Sequence, residues 1–139
     1  MKQTKLWLVA IAVLLCSLTA NAYDFKVEGI YYNITSEEDF TVEVTYGIDY
    51  SGAVTIPTTI NYNDVEYSVT SIGNSAFYGC SSLTSITIPK GVTEIGSYAF
   101  EGCSSLTSIT IPENSQLTSI GQQVFANCSN LASITFPEN

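Results

Sequence analysis

The sequence predicts a mainly β repeat solenoid, with short strands, one-turn helical or 3₁₀ segments and an N-terminal β-hairpin cap. From residue 69 onward, one motif occurs three times, over 69–91, 92–116 and 117–139. Each copy contains a short run in which apolar and hydroxyl side chains alternate before a proline, which is typical of a β-strand. One copy cannot bury its apolar side chains alone, so we expect the copies to stack.

An export signal precedes the repeats. Lys2 and Lys5 come before an apolar run over residues 6–18, and small residues at 20–22 lead directly to Tyr23. This order is that of a secretory signal peptide, so we expect residues 1–22 to be removed by cleavage after Ala22. The mature chain would then reach the periplasm, the cell surface or the medium.

Lipidation at Cys16 is the alternative to this cleavage. A lipoprotein signal requires a small residue before its cysteine, and Leu15 stands at that position. The apolar run is short for a membrane span, and no second apolar stretch follows it. We therefore expect no transmembrane segment in the mature chain.

The charge balance argues against nucleic acid as a partner. The formal net charge is −9, and loss of Lys2 and Lys5 with the signal peptide changes it to −11, since no acid is lost. The mature chain keeps only Lys26 and Lys90, and the sequence has neither arginine nor histidine. Because the phosphates of nucleic acids require a basic patch, we expect no binding of nucleic acid.

Each repeat is expected to form one coil. In the first repeat, residues 83–89 form a strand closed by Pro89, and residues 69–72 form a second extended segment that ends at Gly73. The segment 75–78 between them is long enough for only one helical or 3₁₀ turn. The marker residues recur at steps of 23 and then 25 and are expected to face inward: Ile72, Ile95, Ile120; Phe77, Phe100, Phe125; Cys80, Cys103, Cys128; and Leu83, Leu106, Leu131.

The repeat resembles that of the BspA-like family of bacterial surface proteins, which belongs to the leucine-rich-repeat class. The similarity covers residues 69–139 and is carried by Leu83, Ile86, Ile88, Pro89, Val92, Ile95, Gly96, Ala99, Phe100 and Cys103. The resemblance implies an exported protein that attaches to host matrix proteins or to other cells through its repeat array. That implication rests on fold and motif, because no site residue of the family is involved.

Residues 23–68 are expected to form an N-terminal β cap that includes a degenerate first coil. Val54, Ile56 and Pro57 match the strand ends of the later repeats, and the segment 60–67 alternates around Asn63 and Asp64, which indicates an inserted hairpin. Upstream, apolar residues on either side of the acidic segment 36–39 indicate another strand pair. Such a cap would cover an end of the solenoid that could otherwise aggregate.

The last repeat has no capping unit before Asn139. Its apolar residues at 131, 134 and 136 would lie exposed at the end of the stack. Two interpretations follow: the chain is a truncated member of its family, or the exposed coil associates with another copy.

The three mature cysteines, Cys80, Cys103 and Cys128, occupy one repeat position. Their spacing is unlike that of local zinc motifs, so we expect a buried structural ladder and no metal. A disulfide between neighbouring coils is the open alternative. The absence of histidine removes the usual catalytic base, and the acids at 37–39 are expected to be solvated. We expect no catalytic residue, no cofactor and no enzymatic activity.

The outward strand positions are the first candidate binding face. Short hydroxyl side chains can hydrogen-bond sugars or peptide backbone, and Tyr78 and Tyr98 are further candidates for exposed contacts. The partner would be an extracellular protein or, alternatively, a glycan; a purely structural module would bind neither. The residues of the face form two columns: Ser85, Ser108 and Ser133; and Thr87, Thr110 and Thr135.

Overall fold

A computed structural model describes residues 22–136, and the predicted signal peptide lies almost entirely outside them. Eleven strands occur in this part of the chain: β1 (Phe25–Val27), β2 (Ile30–Ser36), β3 (Thr41–Val44), β4 (Gly52–Thr55), β5 (Thr59–Tyr62), β6 (Val65–Ile72), β7 (Leu83–Thr87), β8 (Glu94–Ile95), β9 (Ser108–Thr110), β10 (Ser119–Ile120) and β11 (Ser133–Thr135). None of the described residues forms a helix long and apolar enough to cross a membrane.

The strands form two sheets whose inner faces enclose one core. The first sheet has the order β1-β2-β3-β6-β8-β10, with β5 beside β6, and the second has the order β11-β9-β7-β4. The chain alternates between the two sheets, so β6 and β7 belong to one coil, β8 and β9 to the next, and β10 and β11 to the last. Strands of successive coils pair in parallel. The predicted mainly β repeat solenoid is therefore confirmed.

The N-terminal cap consists of hairpins, as expected. β1 pairs antiparallel with β2, β2 pairs antiparallel with β3, and β3 then joins β6 in parallel. β5 and β6 form the inserted hairpin, with Tyr62 opposite Val65. Its two central residues, Asn63 and Asp64, have φ values of 51° and 62°. These left-handed angles are those of a two-residue hairpin turn, and Asn and Asp adopt them at low cost.

The expected one-turn helical segments are turns instead. Alternate backbone N–H groups between residues 75 and 79 donate to the next coil, as from Phe77 to the Ala99 carbonyl at 2.7 Å. A helix would require these same groups for bonds within the segment. In addition, Ser75 and Gly79 have positive φ, which interrupts a right-handed turn. The segment therefore stacks on its neighbour as part of an intercoil ladder.

An aromatic column runs through the core on the side of the solenoid where the turns stack. The Phe77 and Phe100 rings stack with centroids 5.1 Å apart and an interplanar angle of 8°, and Phe100 stacks on Phe125 at 5.9 Å and 9°. Tyr50 of the cap continues the column, with its ring 4.5 Å from that of Phe77. Phe77 and Phe100 are fully buried. Each ring thus covers the ring of a neighbouring coil, which a single coil would leave exposed.

Candidate binding surfaces

The two predicted hydroxyl columns lie together on the outer face of the second sheet. The parallel register places Ser85 beside Ser108 and Ser108 beside Ser133, and the threonine column follows two residues later in each strand. In the first strand of this face, Ala53 and Thr55 of β4 hold the corresponding positions. Thr55 thus extends the threonine column to a fourth strand, which the repeat pattern did not reveal because the first coil is degenerate.

None of the six predicted hydroxyls is engaged by another side chain within residues 22–136. The serine and threonine side chains of β9 and β11 are exposed, whereas Ser85 and Thr87 are half-buried. Neighbouring parallel strands lie about 4.8 Å apart, so these hydroxyl groups form a regular and nearly flat polar array. Such an array can donate and accept hydrogen bonds but offers no deep pocket.

A second surface lies on the side of the solenoid where the turns stack. Tyr78 and Tyr98 are 50% and 37% exposed, and the loop 45–50 adds Tyr46 at 39% and Ile48 at 83%. We call these four side chains the turn edge. The other large apolar side chains of the described chain that are strongly exposed, Ile120 and Phe136, belong to the last coil.

The loop 45–50 lies between β3 and β4, where it takes the place of a repeat turn in the coil that precedes β6 and β7. The Cys80 thiol points to the Gly47 carbonyl oxygen at 3.7 Å. Cys103, one coil further on, points in the same way to the Phe77 carbonyl oxygen of the coil before it. The Tyr50 ring fills the position that phenylalanine holds elsewhere in the column. Sequence reasoning found Tyr78 and Tyr98 but missed Tyr46 and Ile48, because this loop is shorter than a repeat and lacks its marker residues.

The three cysteines stack as a ladder of hydrogen-bonded thiols. Cys103 and Cys128 donate to the carbonyls of Phe77 and Phe100 at 3.1 and 3.0 Å. Burial raises the pKa of Cys80 to about 11 and that of Cys103 to about 12. Because the thiolate is the nucleophile and metal ligand, these thiols are poorly suited to either chemistry. No three His, Cys, Asp or Glu side chains in residues 22–136 come together as a metal site.

We expect the mature protein to contain three reduced thiols that react with Ellman's reagent only when the fold opens. In denaturant, titration should return three thiols per chain, and the native protein should react far more slowly because the thiols are shielded and protonated. A count of one thiol in denaturant would instead demonstrate a disulfide between neighbouring coils.

The outer face of the first sheet carries a carboxyl group that sequence reasoning missed. Glu43 lies beside Asn33 of β2 on one side and Ser71 of β6 on the other, and Ser71 pairs with Glu94. Burial raises the pKa of the Glu43 carboxyl, and the nearby charges of Glu94 and Asp24 add to this effect. The Asn33 amide, which donates to Oε1 at 3.5 Å, opposes it.

This arrangement predicts a pH dependence of stability. A carboxyl whose pKa is raised by folding binds its proton more tightly in the folded state, so its contribution is fully present below the unfolded pKa of about 4.3 and is lost as pH rises through the folded pKa. We expect Glu43→Gln to raise the melting temperature at pH 7 and to leave it unchanged near pH 3. Thermal unfolding across this range tests it, with exposed Glu66→Gln as control. A lower melting temperature for Glu43→Gln at pH 7 would contradict the assignment.

The acidic segment 36–39 forms a compact turn at the end of β2. The Ser36 hydroxyl donates to the Asp39 carboxylate at 3.1 Å and accepts from the Asp39 backbone N–H at 3.0 Å. Asp39 and Glu38 are exposed. The turn closes the β2–β3 connection with its own hydrogen bonds.

The strands of successive coils pair in parallel in both sheets, short turns stack beside them, and each coil adds one apolar layer. These features define a leucine-rich-repeat solenoid. A model of the BspA type leucine rich repeat region matches residues 56–139 in six copies, which is more than half of the sequence. The chain belongs to the BspA-type leucine-rich-repeat family. Proteins of this type are generally binding modules rather than enzymes and are typically exposed at the bacterial surface.

Solved structures show the same relationship. A leucine-rich repeat protein from Bacteroides ovatus is 44% identical with a TM-score of 0.75, and the alignment covers 83% of this chain but 30% of that one. A leucine-rich repeat protein from Bacteroides capillosus is 32% identical with a TM-score of 0.70, covering 81% of both chains. A leucine rich cell surface protein from Faecalibacterium prausnitzii is 34% identical with a TM-score of 0.67, covering 80% of this chain and 29% of that one.

The chain thus spans less than a third of the Bacteroides ovatus protein. No curated protein matches it.

Proposed function

We propose that this chain is an exported binding module that attaches to extracellular or host matrix proteins through its repeat array, with the turn edge as the contact surface. The observation that carries the proposal is the exposure of Tyr46, Ile48, Tyr78 and Tyr98 on one side of the solenoid. Export through the predicted signal peptide, with cleavage after Ala22, is part of the proposal. N-terminal sequencing of the secreted protein tests that step.

The chemistry of the turn edge favours a protein partner. Tyrosine provides a large contact area together with a hydroxyl that can hydrogen-bond, and it loses little conformational freedom on binding. Ile48 is 83% exposed, so it adds apolar area that would become buried only against a partner. So small a surface supports weak binding on its own, and attachment would gain from many copies at one cell surface.

We expect binding to immobilised collagen, fibronectin or mucin to weaken at least about tenfold in a Tyr78→Ser, Tyr98→Asn double variant, since a tyrosine that is a hot spot of an interface contributes about 2 kcal/mol or more. Asparagine suits position 98 because Tyr98 has a φ of 60°, which Asn tolerates. Surface plasmon resonance measures the change, and a Thr110→Val variant of the hydroxyl face is the matched control. Equal loss in both variants, or none in the double variant, would overturn the turn edge as the contact surface.

Capture of a glycan is a second candidate function, supported by the array of unengaged hydroxyls on β7, β9 and β11. Sugar hydroxyls pair with such groups through direct hydrogen bonds, each contributing about 1 kcal/mol. On a glycan array, Thr110→Val should then weaken binding about fivefold, whereas the double tyrosine variant should bind as the unaltered protein does. Silence on both the protein and the glycan panels would favour a purely structural module.

Association between copies through the last coil stays a separate proposal. Ile120 and Phe136 are 41% and 49% exposed there. A clean monomer in light scattering at high concentration would contradict it.

A further inference from the structure

A cleft lies between the turn that joins β1 to β2 and strand β4, which forms the edge of the second sheet. Its volume is about 270 Å³. One wall is formed by the turn between β1 and β2, at Glu28 and Gly29, and the other by β4 together with residues 49–51. The cleft therefore runs beside β4, which is the outermost strand of its sheet and pairs only with β7 among the described strands.

The backbone of β4 presents hydrogen-bonding groups to this cleft. On the inner side, the N–H groups of Gly52 and Ile56 donate to the carbonyls of Ser82 and Thr87 at 2.9 and 3.1 Å. Alternate residues of an extended strand direct their backbone groups to opposite sides, so those of Ala53 and Thr55 point to the open edge. No backbone group in residues 22–136 pairs with them there. The edge is thus a template for one more strand.

The charges beside the cleft determine what kind of strand could be added at this edge. Asp49 is paired with Lys26, whose Nζ lies 2.8 Å from Oδ2, and Lys26 also contacts the Tyr31 hydroxyl. Glu28 is exposed and has no ion-pair partner within the described chain. Its carboxylate therefore leaves the cleft negatively charged. A second copy of this protein would bring its own acidic cleft to the same place and is disfavoured.

We propose that the edge of β4 binds an extended, basic segment of a partner protein by strand addition. The segment would hydrogen-bond the backbone groups of Ala53 and Thr55 and place a lysine or arginine side chain against Glu28. Backbone pairing provides affinity, and the carboxylate provides selectivity for a basic residue. This site is distinct from the turn edge, so the two can be tested separately.

Fluorescence anisotropy with a labelled hexapeptide of alternating threonine and lysine tests the proposal. Two matched peptides accompany it: one with glutamate in place of lysine, and one with N-methyl groups at every residue, which removes the donors along both edges. We expect the lysine peptide to bind and both matched peptides to bind at least about tenfold more weakly, because each loses the charge or the backbone bonds. Equal binding of the N-methylated peptide would overturn strand addition.

Variants of the protein localise the site. Thr55→Pro removes the N–H at the open edge, whereas Thr55→Val changes the side chain and keeps the N–H. Glu28→Gln removes the charge in the cleft, and Glu113→Gln removes an exposed charge elsewhere. We expect Thr55→Pro and Glu28→Gln to weaken binding at least about fivefold and both controls to bind as the unaltered protein does.

Equal binding by Thr55→Pro and Thr55→Val would overturn the proposal, as would the absence of binding by the unaltered protein. Should Thr55→Pro fail to fold, amide NMR of the unaltered protein replaces it. The backbone N–H signals of Ala53 and Thr55 must then shift on addition of the lysine peptide, and unshifted signals would contradict strand addition.

Discussion

Phe100→Ala is expected to lower the free energy of unfolding by about 3–5 kcal/mol, the range for removal of a fully buried phenylalanine. The Phe100 ring is buried between Phe77 and Phe125, so its loss opens a cavity at the centre of the aromatic column. The neighbouring coils cannot close this gap, because their spacing is fixed by the parallel ladders on both sheets. Small domains have total stabilities of about 5–15 kcal/mol, so the variant should be close to unfolding.

The loss in the free energy of unfolding should depend on where in the column the phenylalanine lies. Phe125 lies on the last coil, is only partly buried and has a ring neighbour on one side, so Phe125→Ala should cost less than Phe100→Ala. Phe136 is 49% exposed and serves as the control, with an expected change below about 1 kcal/mol. Urea unfolding followed by circular dichroism measures all three. An equal loss in the free energy of unfolding for Phe100→Ala and Phe136→Ala would contradict a stabilising role of the buried column.

The repeat made most of the solenoid predictable from sequence. Strand positions such as Ile86 and Ile109 recur from one repeat to the next, and parallel stacking of similar coils then sets which residues are neighbours. The hairpin at Asn63 and Asp64 was predictable for a different reason, because these residue types favour the left-handed angles that the turn requires.

Other features depend on contacts that no local pattern records. The segment 75–79 contains enough residues for a helical turn, but its N–H groups bond to the next coil, and this competition is decided by stacking. Tyr50 enters the aromatic column although its surrounding sequence lacks the repeat motif. The open edge of β4 likewise follows from the order of strands in the second sheet. Each of these three features depends on a neighbouring coil or strand.

Close approach of successive coils also depends on single glycines, and Gly96→Ala should reveal this. A Cβ atom at position 96 would lie 2.5 Å from the Asn74 backbone nitrogen and 2.7 Å from the Gly73 carbonyl carbon. Because these neighbours are backbone atoms, they cannot move aside as a flexible side chain would. The coils must separate locally, which also disturbs the bond from the Ser97 N–H to the Asn74 side-chain oxygen. We expect Gly96→Ala to lower the free energy of unfolding by about 1–3 kcal/mol or more, as substitutions that overpack a core do.

Gly91 provides a matched control for this variant. A Cβ at position 91 would lie 3.5 Å from the Val69 carbonyl oxygen, an ordinary contact, and neither Gly91 nor Gly96 has a positive φ. Gly91→Ala should therefore be neutral or stabilise by up to about 1 kcal/mol, because alanine reduces the entropy of the unfolded chain. Urea midpoints for the two variants separate steric contact from backbone flexibility as the cause. Equal shifts in both midpoints would show that glycine at position 96 is not required by the distance between coils.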